Sequence, residues 1–357
     1  MMKKRILCIA LAGVLSFLLC ACGDKDTRQT AQTKESAGQR AADKETANQS
    51  AKESEVTEPA REVDLSLFNE PTDASAFEYE EKGDGTISII GLSDESLEVM
   101  VIPEQISGKP VTEIKKGAFI QCKNLIGVVI PDSVAELPEN AFLSCNNLTS
   151  VVIGEGVTKI GKYAFRECKN LMSIVIPDSV TMIEAQAFDG CNALESVTIG
   201  NGVTKIDVEA FALCTGLTSL VIGESVTWIG SGAFRTCESL TSVIIPDSVT
   251  YIGDEAFSEC ISLESLTIGK SVTEIDMEAF EGCKGLTSLT IPDSVTYIGT
   301  YAFAGCIGLT EVTFGEGVTE IGDRIFYGCN KLTTINTPKG SYAEYWVNER
   351  MNKTTGG

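Results

Sequence analysis

A strict 23-residue period constrains this chain more than any other feature of its sequence. Cysteine recurs at positions 122, 145, 168, 191, 214, 237, 260, 283, 306 and 329. Phenylalanine stands three residues before each, from Phe119 to Phe326, and leucine three residues after each, from Leu125 to Leu332. Ten copies follow one another without an insertion. Periods of this length produce solenoids, in which each unit is one coil that cannot bury its own apolar face and is stable only against its neighbours.

The unit that begins at Leu240 shows how one coil is built. Leu240, Val243 and Ile245 have the spacing that turns side chains of a short strand inward, with Ser242 and Ile244 facing out. Pro246-Asp247-Ser248 breaks the strand and turns the chain. Val249 and Ile252 return to the core, and Gly253-Asp254 opens a brief turn of helix with Ala256, Phe257 and Cys260 on its inner side. The expected fold is an α/β-type repeat solenoid with one parallel sheet, short helical turns and coils ~4.8 Å apart, nearly 50 Å long in all. Units with Pro-Asp-Ser-Val (131–134, 177–180, 246–249, 292–295) mostly alternate with units such as Gly-Glu-Gly-Val at 154–157, as a 46-residue duplication would produce.

Residues 240–260, Leu-Thr-Ser-Val-Ile-Ile-Pro-Asp-Ser-Val-Thr-Tyr-Ile-Gly-Asp-Glu-Ala-Phe-Ser-Glu-Cys, resemble the BspA-like leucine-rich repeats of bacterial surface proteins. The similarity extends over residues 79–350. Gly85–Ile89, Val101-Ile102-Pro103 and Gly108–Ile114 look like the irregular first coils of that family, and Pro338–Ala343 like its terminal segment. The resemblance implies a leucine-rich-repeat fold and a surface role in adhesion or recognition, and it brings no catalytic residues. In place of the asparagine ladder of other leucine-rich repeats, Ser or Gly follows the strand, as at Ser248 and Gly156. Ser341 with Glu344 makes a capping box, so a short closing helix is expected through Arg350.

The N-terminal region reads differently. Lys3, Lys4 and Arg5 precede a mostly apolar run, Ile6 to Leu19, which is short of the ~20 residues that a spanning helix needs. It ends in Leu19-Cys20-Ala21-Cys22-Gly23, which resembles a bacterial lipobox. That resemblance implies a signal peptide over 1–21, cleavage before Cys22, and a lipid on the Cys22 sulfur. Residues 22–62 are poor in large apolar side chains and rich in Ala, Thr, Gln, Ser, Lys and Glu, the composition of a disordered tether. The remaining expected segments are an N-terminal cap with irregular first coils (63–118), ten repeats (119–338), and a cap helix with a tail (339–357).

Charge and missing residue types narrow the function. The formal charge is −22, and loss of Lys3, Lys4 and Arg5 takes it to −25. Such a surface repels phosphate backbones, so nucleic acid is not an expected partner. There is no histidine, which excludes Ser-His-Asp and Cys-His catalysis and every His-containing zinc site. The uninterrupted repeat leaves no loop insertion to house an active site, and neither an enzyme nor a cofactor is expected.

Three columns are candidate sites. The repeat cysteines stack with roughly parallel Cβ vectors, whereas zinc and disulfides both need convergent ones. A buried column of small apolar side chains is expected, with no metal. The outward strand positions Val129, Val152, Val175, Thr198, Val221, Ile244, Thr267, Thr290 and Thr313 line an open face, of the kind that repeat proteins use for binding or that β-branched residues simply suit. The third position of Val-Thr-x-Ile reads Lys159, Met182, Lys205, Trp228, Tyr251, Glu274, Tyr297, Glu320 and faces solvent. Trp228 and Tyr251 fall on adjacent coils, either as an aromatic platform for a sugar or protein ligand or as a ladder that stiffens the stack. Met182, Lys205, Trp228, Tyr251 and Tyr297 are the candidate binding residues. The expected protein is a monomeric, lipid-anchored cell-surface scaffold outside the membrane, which binds an extracellular protein or polysaccharide. The alternative is a structural envelope scaffold without a soluble ligand.

Overall fold

The computed structural model describes Phe68 and residues 70–350. The expected leader, Cys22, the expected tether and residues 351–357 lie outside the described residues. The described chain is a parallel-strand solenoid with the 23-residue period, capped at each end. No helix of the described residues is long and apolar enough to cross a membrane.

The chain enters through β1 (Phe77–Glu81), β2 (Ile87–Leu92), β3 (Val99–Val101), β4 (Gln105–Ile106) and β5 (Lys109–Ile114). β1, β2, β5 and β4 form a four-stranded sheet at the N-terminal end, while β3 starts the repeat by pairing in parallel with Gly127–Val129. From there the longer strands pair with their equivalents 23 residues on in four separate runs of two or three, as Ser242–Ile244 does with Ser265–Thr267. Val243 and Ile245 are buried, and Ile244 is 71% exposed. The alternation read from the sequence is the alternation in the fold.

A second ladder accompanies this one. Nine two-residue strands, from Glu136–Leu137 to Glu320–Ile321, pair in parallel into one continuous sheet. Eight of them are the Val-Thr-x-Ile segments, where a β-branched pair and an inward Ile favour extended backbone, and the first is Val134-Ala135-Glu136-Leu137. The sequence pointed to one sheet because these strands are too short to show period-2 alternation.

The expected turn of helix is also built differently. In the coil of Phe257, Glu255 and Glu259 have φ of 52° and 56°. Left-handed residues cannot sit inside a right-handed helix. The backbone N–H groups of Glu255, Phe257 and Glu259 donate instead to Met277, Ala279 and Glu281 of the next coil, at 2.9, 2.7 and 2.7 Å. Coil-to-coil bonding outcompetes the i→i−4 bond, and the segment becomes three successive tight turns, closed by the amides of Ala256, Ser258 and Cys260.

Side chains continue these ladders through the core and along its edge. Phe119 to Phe303 stack ring on ring with centroids 4.9–5.4 Å apart. The thiols of Cys145 to Cys329 each donate to the carbonyl of the Phe in the preceding coil, at 3.0–3.4 Å. The cysteines are thus buried free thiols with a directional role beyond filling space. Threonine hydroxyls from Thr158 to Thr319 donate to the preceding coil at 3.0–3.2 Å. A partial Asx ladder stands one residue ahead of the Ser/Gly position. Asp132, Asp178, Asn201, Asp247 and Asp293 accept from the next coil's backbone at 2.6–2.9 Å. The serine that follows also works between coils, since Ser248 Oγ donates to the Val226 carbonyl at 2.7 Å.

At the far end α1 (Tyr342–Arg350) closes the stack with Ala343 and Trp346 buried. Its cap is close to the expected box. Glu344 N donates to Ser341 Oγ at 3.1 Å, and Glu344 Oε2 accepts from Gly340 N at 2.6 Å.

Candidate functional site

The second ladder positions the candidate residues. Register pairs Lys159, Met182, Lys205, Trp228, Tyr251, Glu274, Tyr297 and Glu320 side by side, one per coil. Each is followed by a buried isoleucine, as Ile229 follows Trp228, so the alternation holds the column toward solvent.

Trp228 and Tyr251 are in direct contact, ring centroids 3.9 Å apart and planes 19° from parallel. Trp228 stays 40% exposed. A parallel in-register ladder puts like side chains face to face, so each ring spends one face on the other. Tyr251 Oη donates to Asp276 Oδ2 at 2.7 Å. Burial, and then the Asp276 carboxylate, push the Tyr251 phenol above its ordinary pKa. Burial and the neighbouring Asp276 likewise hold the Asp254 carboxyl above the usual range. The phenol therefore stays protonated at neutral pH, as a hydrogen-bond group on an acidic rim.

Tyr297 is on the same face, separated from Tyr251 by the Glu274 coil. With Glu274, Thr296, Thr319 and Glu320 it lines a shallow cavity of about 400 Å³. Met182 and Lys205 extend the column on the other side of Trp228, and Lys205 Nζ lies 3.4 Å from Asp207. Lys159 is held by Glu184 at 3.0 Å. The aromatic centre is thus flanked by a paired basic coil on one side and by carboxylates on the other. Sequence reasoning missed Asp254 and Asp276. Both occupy turn positions just past the ladder, and only the stacking of coils brings Asp276 to the Tyr251 of the coil before.

The face of the longer strands departs from expectation at its N-terminal end. Val129, read as an open-face residue, is 8% exposed, because Phe68 covers it together with Val101. A lone phenylalanine outside the repeat carries no periodic signal, so the sequence did not reveal this contact. Val175, Val221 and Ile244 further along the same column are exposed as expected.

The model of the BspA type leucine-rich repeat region matches this chain in six copies, over residues 112–241, 158–287 and 227–344. Among solved structures, a leucine-rich repeat protein from Bacteroides ovatus is 30% identical with a TM-score of 0.63, covering 74% of this chain and 70% of its own. A leucine rich cell surface protein from Faecalibacterium prausnitzii is 26% identical over 78% of this chain and 97% of its own, with a TM-score of 0.38. A leucine-rich repeat protein of T. pallidum is 25% identical over 81% and 97%, with a TM-score of 0.37. No curated protein matches. Since the family model covers well over half of the residues and its repeat is the coil seen here, the chain belongs to the BspA-type leucine-rich-repeat family.

Proposed function

We propose that this protein is a recognition scaffold of the bacterial cell surface, lipid-anchored through Cys22, which binds an extracellular protein or glycan through the column centred on Trp228 and Tyr251. The observation that carries this reading is the 40% exposure of Trp228 on a face where its neighbours are polar. An uncovered indole beside a phenol and carboxylates suits a ligand with both an apolar face and hydrogen-bonding or cationic groups. Family membership supports a surface role, and leucine-rich-repeat proteins are generally scaffolds without catalytic activity. The lipobox-like Leu19-Cys20-Ala21-Cys22 supports the anchor.

The stacking of Trp228 on Tyr251 also favours a second reading, a structural scaffold in which the pair only stiffens two coils. Arrays of matrix proteins and glycans, probed with residues 63–357, separate the two. Binding to one class, abolished by Trp228→Ala with Tyr251→Ala while the circular dichroism spectrum is kept, supports recognition. Undiminished binding by the double variant retires the column as the site, and silence on every array favours the structural role.

A further inference from the structure

The column of turn residues just past the two-residue ladder decides how the candidate binding residues are held. It is glycine at 161, 230, 253, 299 and 322, and acidic only at Glu184, Asp207 and Asp276. The glycines have a packing cause. A Cβ at Gly230, Gly253, Gly299 or Gly322 would come within 2.4–2.8 Å of the backbone of the coil before. Each acidic exception holds a residue of the ladder. Glu184 takes Lys159 at 3.0 Å, Asp207 takes Lys205 at 3.4 Å, and Asp276 accepts from Tyr251 Oη at 2.7 Å. The coil after Tyr297 offers Gly322 at this place, and among the described residues the Tyr297 phenol has no such partner.

Asp276 acts on more than Tyr251. Its Oδ1 accepts from the Met277 amide at 2.8 Å, which fixes the carboxylate. Tyr251 in turn is stacked on Trp228. One carboxylate therefore sets the pose of both rings, and without it other rotamers of Tyr251 are open. Asp254, half-buried on the coil before Asp276, shares a hydrogen bond with it. The other groups that face these two carboxyls are Tyr251, Tyr297, Glu274 and Glu255, none of them a cation. Arg235 is turned toward Glu209 and Glu255 instead, at 3.1 and 3.5 Å. Burial and the neighbouring carboxylate make Asp254 the group that takes up a proton above the usual range. Once protonated it donates to Asp276 and draws off part of the charge that strengthens the Tyr251 bond.

We propose that Asp276 is a positioning residue of the recognition column, latching Tyr251 against Trp228 at neutral pH, and that a proton on Asp254 loosens the latch. Its consequence for binding, a platform ordered at neutral pH and relaxed in mild acid, rests on the reading of this column as a recognition surface. The latch itself does not, and testing it needs no ligand.

Trp228 fluorescence reports the latch. The chain has two tryptophans, and subtracting the emission of Trp228→Phe removes the contribution of Trp346. Acrylamide, an uncharged quencher, then measures how open the Trp228 indole is in the full chain. Its quenching constant is expected to rise at least twofold as pH falls from about 7, with a midpoint above the ~3.9 of an ordinary aspartate. Asp276→Gly, the residue this column carries elsewhere, should show the raised value at every pH. Asp254→Asn, uncharged and still able to donate to Asp276, should show it too, without the pH dependence. Tyr251→Phe keeps the ring and every carboxylate but has no hydroxyl, so its pH response should vanish; it serves in place of Asp276→Gly if that variant melts early. Three results overturn the proposal: no pH response in the native chain; a response that persists in Tyr251→Phe, which would trace it to carboxylates acting on the indole directly; and a quenching constant of Asp276→Gly equal to the native value at neutral pH. Array binding alongside a flat titration would overturn the latch alone, and the expected titration with silent arrays would overturn only the recognition reading.

Discussion

Gly202 and Thr236 mark two positions where the coil leaves a residue little choice. A Cβ at Gly202 would lie 1.8 Å from the Asp178 carbonyl oxygen of the preceding coil. Gly156 and Gly317 are equally tight against Asp132 and Asp293. Three of the four coils that follow a Pro-Asp-Ser-Val coil carry glycine at this place, the fourth having Ser271, so the alternation of unit types has a packing cause as well as a duplication to explain it. Gly202→Ala forces two backbones apart, and a loss of roughly 1–3 kcal/mol is expected, read as a lower thermal midpoint. Thr236 has the opposite problem, a β-branched residue at φ 61°. Glycine takes that column at Gly282 and Gly305, with φ of 71° and 70°. Thr236→Gly keeps the N–H that bonds Ser258 O at 2.8 Å. It is expected to stabilise by about 1 kcal/mol, and a falling midpoint would show that the left-handed strain is not borne there.

At the scale of the element, the cysteine column makes the clearest predictions. Burial pushes the thiols up, to about 12 for Cys168 and Cys260. An unfolded thiol ionises near 8.5. Their folded pKa lies above the unfolded one, so the contribution of each to stability is complete below ~8.5 and is lost as pH rises toward about 12. The thermal midpoint should therefore fall through that window, and Cys168→Ala with Cys260→Ala should flatten the slope while lowering the midpoint at neutral pH. Cys122 is half-buried at the N-terminal end of the column, where the neighbouring Cys145 thiol holds its pKa below the ordinary value. A thiol reagent applied to the native protein should label Cys122 first and leave Cys191, Cys214 and Cys237 untouched, as peptide mapping would show. Early labelling of the central cysteines would mean that the coils do not stay stacked.

For the whole molecule, the solenoid and the proposed anchor are separable. Stacked coils share backbone, thiol and threonine ladders from one end to the other, so the folded part should behave as one body whether or not it is tethered. Cys22→Ser removes the proposed lipid site and nothing from the repeat. It should shift the protein from the detergent phase to the aqueous phase in phase partitioning and abolish fatty-acid labelling, with the melting curve unchanged. Continued labelling of this variant would show that the lipid is attached elsewhere.

The sequence alone determined the coil and its inward columns. Phe, Cys, Leu, Val and Ile recur at fixed offsets, and only burial in a common core makes ten copies keep the same side chains at the same places. It also placed Trp228 and Tyr251 on adjacent coils and located the closing helix from Ser341 and Glu344. Tertiary structure decided how the backbone spends its hydrogen bonds. Periodicity says which side of a residue faces in, but whether the Phe257 amide bonds within its own turn or to Ala279 of the next coil is settled only when that coil is present. The second ladder, the successive turns in place of a helix, the Asp276 partner of Tyr251 and the covering of Val129 by Phe68 all come from contacts between residues distant in the chain. Such contacts leave no trace in local pattern, because they join residues of different coils and form only as the coils stack.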